Sequence, residues 1–162
     1  MSYPRFQRAR AHRFERYTAG TITFNSTSWV NVPGFGSLAV EAQVGDVLEA
    51  GLQMAVENEA PALLLDAVTD VSGTPTNSFG TGGTAPTSTT GDGVIGWVVA
   101  AGLYGSPAGP AFYTVQPGDL ASGVVTVRFR YRTTSAANKT AIASATRGQF
   151  IYVKNLGPAD PE

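Results

Sequence analysis

The sequence predicts an all-β protein, an antiparallel sandwich or barrel, on three observations. Apolar residues recur at every second position in most of the longer segments. Gly, Pro, Asn or Asp separates those segments at short intervals. No segment sustains a helical period with capping residues at its ends. The chain has 162 residues, enough for one domain. A domain of this size buries roughly two-thirds of its unfolded surface, so it needs no disulfide, and the sequence contains no cysteine.

The segments follow in order. "TITFNSTSWVNVPG" alternates Ile22 with Phe24, then sets Val30 and Val32 opposite Trp29. "SLAVEAQVGDVLEAGLQMAVEN" alternates Leu38 with Val40, and later Leu52 with Met54 and Val56. The stretch "LEAGLQMAVENEA" has a helical composition, but Gly51 at its centre and the alternation around it predict a strand. "APALLLDAVTDV" is denser in apolar residues, as a central strand requires. "GVIGWVVAAGLYG", "AFYTVQPGDL" and "GQFIYVKNLGP" supply further strands. Residues 72–93, "SGTPTNSFGTGGTAPTSTTGDG", exceed the ~12–15 residues beyond which loops in compact domains are uncommon. This segment reads either as a solvated excursion or as an exposed contact loop anchored by Phe79.

The segment "VVTVRFRYRTT" interleaves two patterns. Successive side chains of a strand point to opposite faces. One face therefore carries Val125, Val127, Phe129 and Tyr131, and the other Thr126, Arg128, Arg130 and Arg132. Three like charges on one face repel unless they are solvated or paired. They are expected either to spread over an exposed outer face or to meet acids of a neighbouring copy through their planar forks.

Charge is segregated along the chain. Arg5, Arg8, Arg10, Arg13 and Arg16 crowd the first 16 residues, and no Lys or Arg occurs from Tyr17 to Val127, a span holding nine acids. Only 14% of residues are charged, against roughly 25% in an average soluble protein. A surface so poor in charge is expected to be covered by copies of the chain or by partners. The organisation read from this is a basic arm over 1–16, a folded unit over 17–158 and a short C-terminal tail over 159–162. The arm suits an extended strap or a short helix with Tyr3, Phe6, Arg10, Phe14 and Tyr17 near one side. Nucleation is costly at this length, so a partner must order it: the acidic body of a neighbouring copy, another protein of an assembly, or nucleic acid. Nucleic acid is the least favoured, because no basic body stands behind the arginines to form a groove.

Catalytic and metal chemistry is poorly provided for. His12 is the single histidine, so a nucleophile–histidine pair would need the arm to reach into the fold. A zinc site would rest on carboxylates almost alone. The glycines of "FGTGGTAPTSTTGDG" have no lysine and no following helix to make a phosphate loop. Asp66 and Asp70 share a strand face about 13 Å apart, too far for either glycosidase geometry. The sequence thus predicts no enzyme, no metal and no cofactor. It also lacks an apolar run of membrane-spanning length, and its basic start is not followed by the apolar segment of a signal peptide.

The phrases "GDVLEAGL", "GWVVAAGLYG", "YTVQPGDLASGVVTVRFRYRTTSAANKT" and "FIYVKNLGP" together resemble small jelly-roll proteins of tailed bacteriophages, particularly phages of actinobacteria. The resemblance runs from about Tyr17 to Pro158. It implies a tumour-necrosis-factor-like jelly roll, a homotrimer, and a place in the virion as a capsid decoration protein, head fibre or minor tail protein. The expected function is capsid decoration or cement, with synthesis in the host cytoplasm and attachment to the major capsid protein or other virion proteins. Arg5, Phe6, Arg8, Arg10, Arg13, Phe14 and Arg16 of the arm, with Arg128, Arg130 and Arg132, are the expected assembly contacts. The alternative is a tail-tip or tail-fibre module that binds a host-surface glycan through the Phe79 loop.

Overall fold

The computed structural model describes residues 11–17, 20–56, 62–86, 94–98, 106–143 and 149–159. Within them the chain forms β1 (Ala11–Tyr17), β2 (Gly20–Phe24), β3 (Val30–Asn31), β4 (Leu38–Glu41), β5 (Asp46–Met54), β6 (Leu63–Val71) and β7 (Thr74–Ser78). It continues through β8 (Gly96–Val98), β9 (Ser106–Thr114), β10 (Leu120–Ala121), β11 (Val124–Thr133), β12 (Lys139–Ala143) and β13 (Gln149–Pro158). A single 3₁₀ turn, Pro117–Asp119, precedes β10. Among the described residues no helix is long and apolar enough to cross a membrane.

One sheet runs β1-β13-β5-β9 and the other is built on β10-β11-β6-β7. In the second sheet β3 and β4 pair with β11, and β8 pairs with β6. Every pairing is antiparallel. The small β12-β2 ladder continues the first sheet, because Val56, two residues beyond β5, bridges to Ala141 of β12. If β1–β2, β3–β4, β7–β8 and β12–β13 each count as one interrupted strand and the two-residue β10 is set aside, eight positions result. In chain order the first sheet then reads 1-8-3-6 and the second 2-7-4-5. This is the strand order of a jelly roll, the double-sheet solution that interleaves two Greek keys. The fold is therefore an all-β antiparallel sandwich.

The alternating segments place its core. Val125, Val127, Phe129 and Tyr131 are all buried, and they pack with Phe24, Leu48, Leu52, Met54, Leu65, Ile151 and Val153 of the facing elements. The Phe24 ring meets Tyr131 edge-on with centroids 4.8 Å apart. β6 lies between β11 and β7 and is buried from Leu63 to Asp70, as its apolar density requires of a central strand. "LEAGLQMAVENEA" supplies most of β5, a strand rather than a helix. The β6–β7 and β10–β11 hairpins turn on Ser72-Gly73 and Ser122-Gly123, with all four residues at positive φ. Two central residues of this kind match the right-handed twist of the flanking strands.

Two sequence boundaries shift. The basic arm does not stop short of the sandwich, since Ala11–Tyr17 is the edge strand β1, paired with β13 from Ala11↔Asn155 to Tyr17↔Gln149. The long Gly/Thr/Ser segment is not a loop throughout. Its first residues complete the hairpin into β7, and Asn77 bridges back to Thr84.

Candidate functional site

The outward row of β11 was the strongest charge signal, and its arginines meet acids of their own chain. β6 runs antiparallel beside β11 and sets Asp66 directly opposite Arg130 and Asp70 opposite Thr126. Arg130 donates from Nε and Nη2 to Asp66 Oδ2, at 3.2 and 3.0 Å. Its Nη1 donates to the Pro86 carbonyl at 2.9 Å. Asp66 also accepts the Ser78 hydroxyl at 3.0 Å and the Gly80 N–H at 3.4 Å. Arg128 Nε stands 2.9 Å from Asp70 Oδ2, close enough for an ion pair but not aligned as a hydrogen bond. The other Asp70 oxygen accepts the Gly73 N–H at 2.7 Å, inside the hairpin turn.

The expectation that this row faces solvent or a neighbour's acids is thus corrected for Arg128 and Arg130. The physical reason is the i, i+4 spacing of Asp66 and Asp70, which puts both carboxylates on the same face as the arginines. Arg130 is 4% exposed and Asp66 is fully buried. Burial pushes the Asp66 carboxyl up to about 6, against the opposing pull of Arg130 and the bonds from Ser78, Arg130 and Gly80. Burial likewise lowers the Arg130 guanidinium from its ordinary value, against the pull of Asp66. Desolvation therefore exceeds the mutual attraction of the pair. Trp29 roofs the row: the Arg130 guanidinium carbon lies 4.7 Å from the Trp29 ring centroid and that of Arg132 5.7 Å. Arg132 is buried and, unlike the other two, has no carboxylate at hand among the described residues.

Phe79 is not an exposed anchor. It is 5% exposed and belongs to the core, with its ring centroid 5.2 Å from that of Tyr113. The turn after β7 folds this one large apolar residue inward, because an aromatic ring gains more from burial than from water. Beneath the turn sits Asp119, which the sequence did not single out. It accepts from Thr69, Asn77, Tyr113 and the Gln116 N–H. This carboxylate ties the β6–β7 hairpin to β9 and the 3₁₀ turn.

Of the arm, Arg5, Phe6, Arg8 and Arg10 lie outside the described residues, as do the side chains of Phe14 and Arg16. Arg13 is exposed on β1. Glu15 reaches from β1 to accept the Gly36 N–H at 3.1 Å. The register sets Phe14 opposite Tyr152 and Arg16 opposite Phe150 on β13. On that outer face Glu49 of β5 accepts the Tyr152 hydroxyl at 3.0 Å and meets Lys154 at 3.5 Å. Phe112 of β9 is 56% exposed there. A cleft of about 410 Å³ opens at one end of the sandwich, lined by Glu41, Asp46, Ser122 and Asn155 among others. Asp46 in it is held by the Gln43 N–H at 3.0 Å and by Asn155 Nδ2 at 2.8 Å. Among the described residues no group of three His, Asp or Glu side chains is placed to hold a metal ion.

No protein-family model matches the chain, and no curated protein matches it. Two solved structures are similar at low identity. The structure of the infectious bursal disease virus Gx strain aligns at 9% identity with a TM-score of 0.37, covering 93% of this chain and 39% of that one. The VP2 subviral particle of infectious bursal disease virus aligns at 12% identity with a TM-score of 0.22, covering 93% and 42%.

Proposed function

We propose that the chain is a virion structural protein, a trimeric capsid decoration or cement protein that attaches through its basic N-terminal residues. The observation that carries this reading is that three of the body's cations are paired within the chain. Arg128, Arg130 and Lys154 are matched by Asp70, Asp66 and Glu49 of the same chain. The crowded arginines Arg5, Arg8 and Arg10 precede a strand at the edge of a jelly roll and stand next to an acidic, lysine-poor stretch of sequence. Such segregation favours contact between the basic segment of one molecule and an acidic surface of another. Ordering the segment costs about 1–2 kcal/mol per residue, and symmetric copies on a particle offset this through avidity.

The test is deletion of residues 1–10, which leaves β1 whole. The truncated protein is expected to unfold at the same urea midpoint as the full chain and to lose attachment to capsids. Wild-type occupancy by the truncated protein on particles counted by electron microscopy would refute the proposal.

A further inference from the structure

The outward row of β11 holds three guanidinium groups, and β6 supplies carboxylates for two of them. The register explains the shortfall. Arg130 lies opposite Asp66, whereas Arg132 lies opposite Leu64. On the other flank β3 pairs Asn31 with Arg130 and Val30 with Tyr131, which brings Trp29 alongside Arg132. Beyond Leu64 the register continues to Trp97. The two tryptophans of the chain thus fall in the cross-sheet row of Arg132. Arg132 is 8% exposed, and among the described residues its Nε–H has no acceptor; the buried indole N–H of Trp29 has none among them either. Buried donors are nearly always paired, so two unpaired ones in one niche call for an explanation.

We propose that Arg132 and Trp29 form a receptor for a carboxylate supplied from outside the chain. The planar guanidinium fork matches the two oxygens of a carboxylate. The indole face holds the guanidinium plane, and the indole N–H offers a further donor. The same strand settles Arg128 and Arg130 with carboxylates, and Leu64 occupies the place where an internal one would stand. Trp29 is only half-buried, and the ligand reaches the niche along its edge. The site deepens the proposed function, since an exposed Asp or Glu of an assembly partner would supply the group. It does not depend on residues 1–10, so its failure and theirs are read separately.

The test follows the indole N–H signals of the full chain by ¹H–¹⁵N NMR during titration with acetate, at ionic strength held constant with chloride. Trp97→Phe identifies the Trp29 signal. That signal is expected to move downfield and saturate with acetate, to stay in place with chloride alone, and to lose saturation in Arg132→Gln. Arg132→Lys keeps the charge without the fork and is expected to weaken binding about tenfold; it carries the comparison if the glutamine variant does not fold. A Trp29 signal that ignores acetate, follows chloride equally, or moves as far without the Arg132 fork overturns the proposal.

Discussion

Replacing Asp119 by alanine tests the polar knot beneath the β6–β7 hairpin. The carboxylate is 1% exposed. Its Oδ1 accepts the Thr69 hydroxyl at 2.6 Å and Asn77 Nδ2 at 2.8 Å. Its Oδ2 accepts the Tyr113 hydroxyl at 2.6 Å and the Gln116 N–H at 2.8 Å. Each buried donor left without an acceptor costs about 1–3 kcal/mol. The two hydroxyls can turn toward other acceptors, but the Gln116 N–H is fixed by the backbone, and Asn77 is held by its own N–H to Thr69 Oγ1 at 3.1 Å. The expected loss is about 4 kcal/mol, a large share of the roughly 5–15 kcal/mol that holds a domain. Asp119→Asn keeps the shape but turns an N–H₂ toward two donors, and should cost about half as much, near 2 kcal/mol. Urea unfolding measures both, with an unchanged slope required for the comparison. A second readout is the Tyr113 phenol, held well above its ordinary value by burial and then by its bond to Asp119 and that residue's charge. Asp119→Asn should lower it, seen as earlier tyrosinate absorbance on alkaline titration. A loss under about 1 kcal/mol for the alanine variant would show that the four donors find other partners, and the reasoning fails.

Three further perturbations follow from the same geometry. Phe79→Ala should destabilise the fold by about 3–5 kcal/mol in urea, the cost of emptying an aromatic core position; a change within 0.5 kcal/mol, as is usual for a surface site, would return Phe79 to the surface. Asp66 titrates near 6 in the folded state against 3.8 unfolded, so the folded chain binds the extra proton between these values. Its contribution to stability therefore grows as pH falls through 6 and is complete below about 3.8; carboxyl NMR with a midpoint under 4 would contradict this. A Cβ on Gly51 would lie 2.7 Å from Tyr152 Cε1. Gly51→Ala should swing the ring off the strand, break its bond to Glu49, and return the phenol from about 12 toward its ordinary 10, measured by absorbance titration.

The alternating segments were legible because a strand sorts its side chains by parity alone. Parity gave β5 its strand over a helical composition, and it separated the Val125–Tyr131 row from the arginine row without error. What parity does not give is register. Asp66 and Asp70 could be assigned to one face of β6 and Arg128 and Arg130 to one face of β11. That the two faces belong to adjacent strands depends on a pairing between segments about sixty residues apart in sequence. Phe79 and Asp119 were misjudged or missed for the same reason. A lone phenylalanine in a Gly/Thr/Ser segment carries no periodic neighbours, and two partners of Asp119, Thr69 and Asn77, lie far from it in the chain. The boundary of the arm failed for a different cause. Charge marks residues 1–16 as one unit, while hydrogen bonding to β13 claims those from Ala11 onward.

The order of settlement along β11 explains why a chain so poor in charge concentrates three arginines on one strand. At Arg128 the pair is partly solvated, with 34% of the arginine side chain exposed, and Asp70 closes the Gly73 turn with its other oxygen. At Arg130 the pair is buried, and desolvation works against both of its charges. Its remaining donor holds the Pro86 carbonyl, while Asp66 holds Ser78 and Gly80. Those contacts fix the path of the segment after β7 over the sheet. The Arg130–Asp66 pair therefore anchors that segment to the second sheet. At Arg132 the ladder offers leucine in place of a carboxylate, and the same chemistry is left open to a partner.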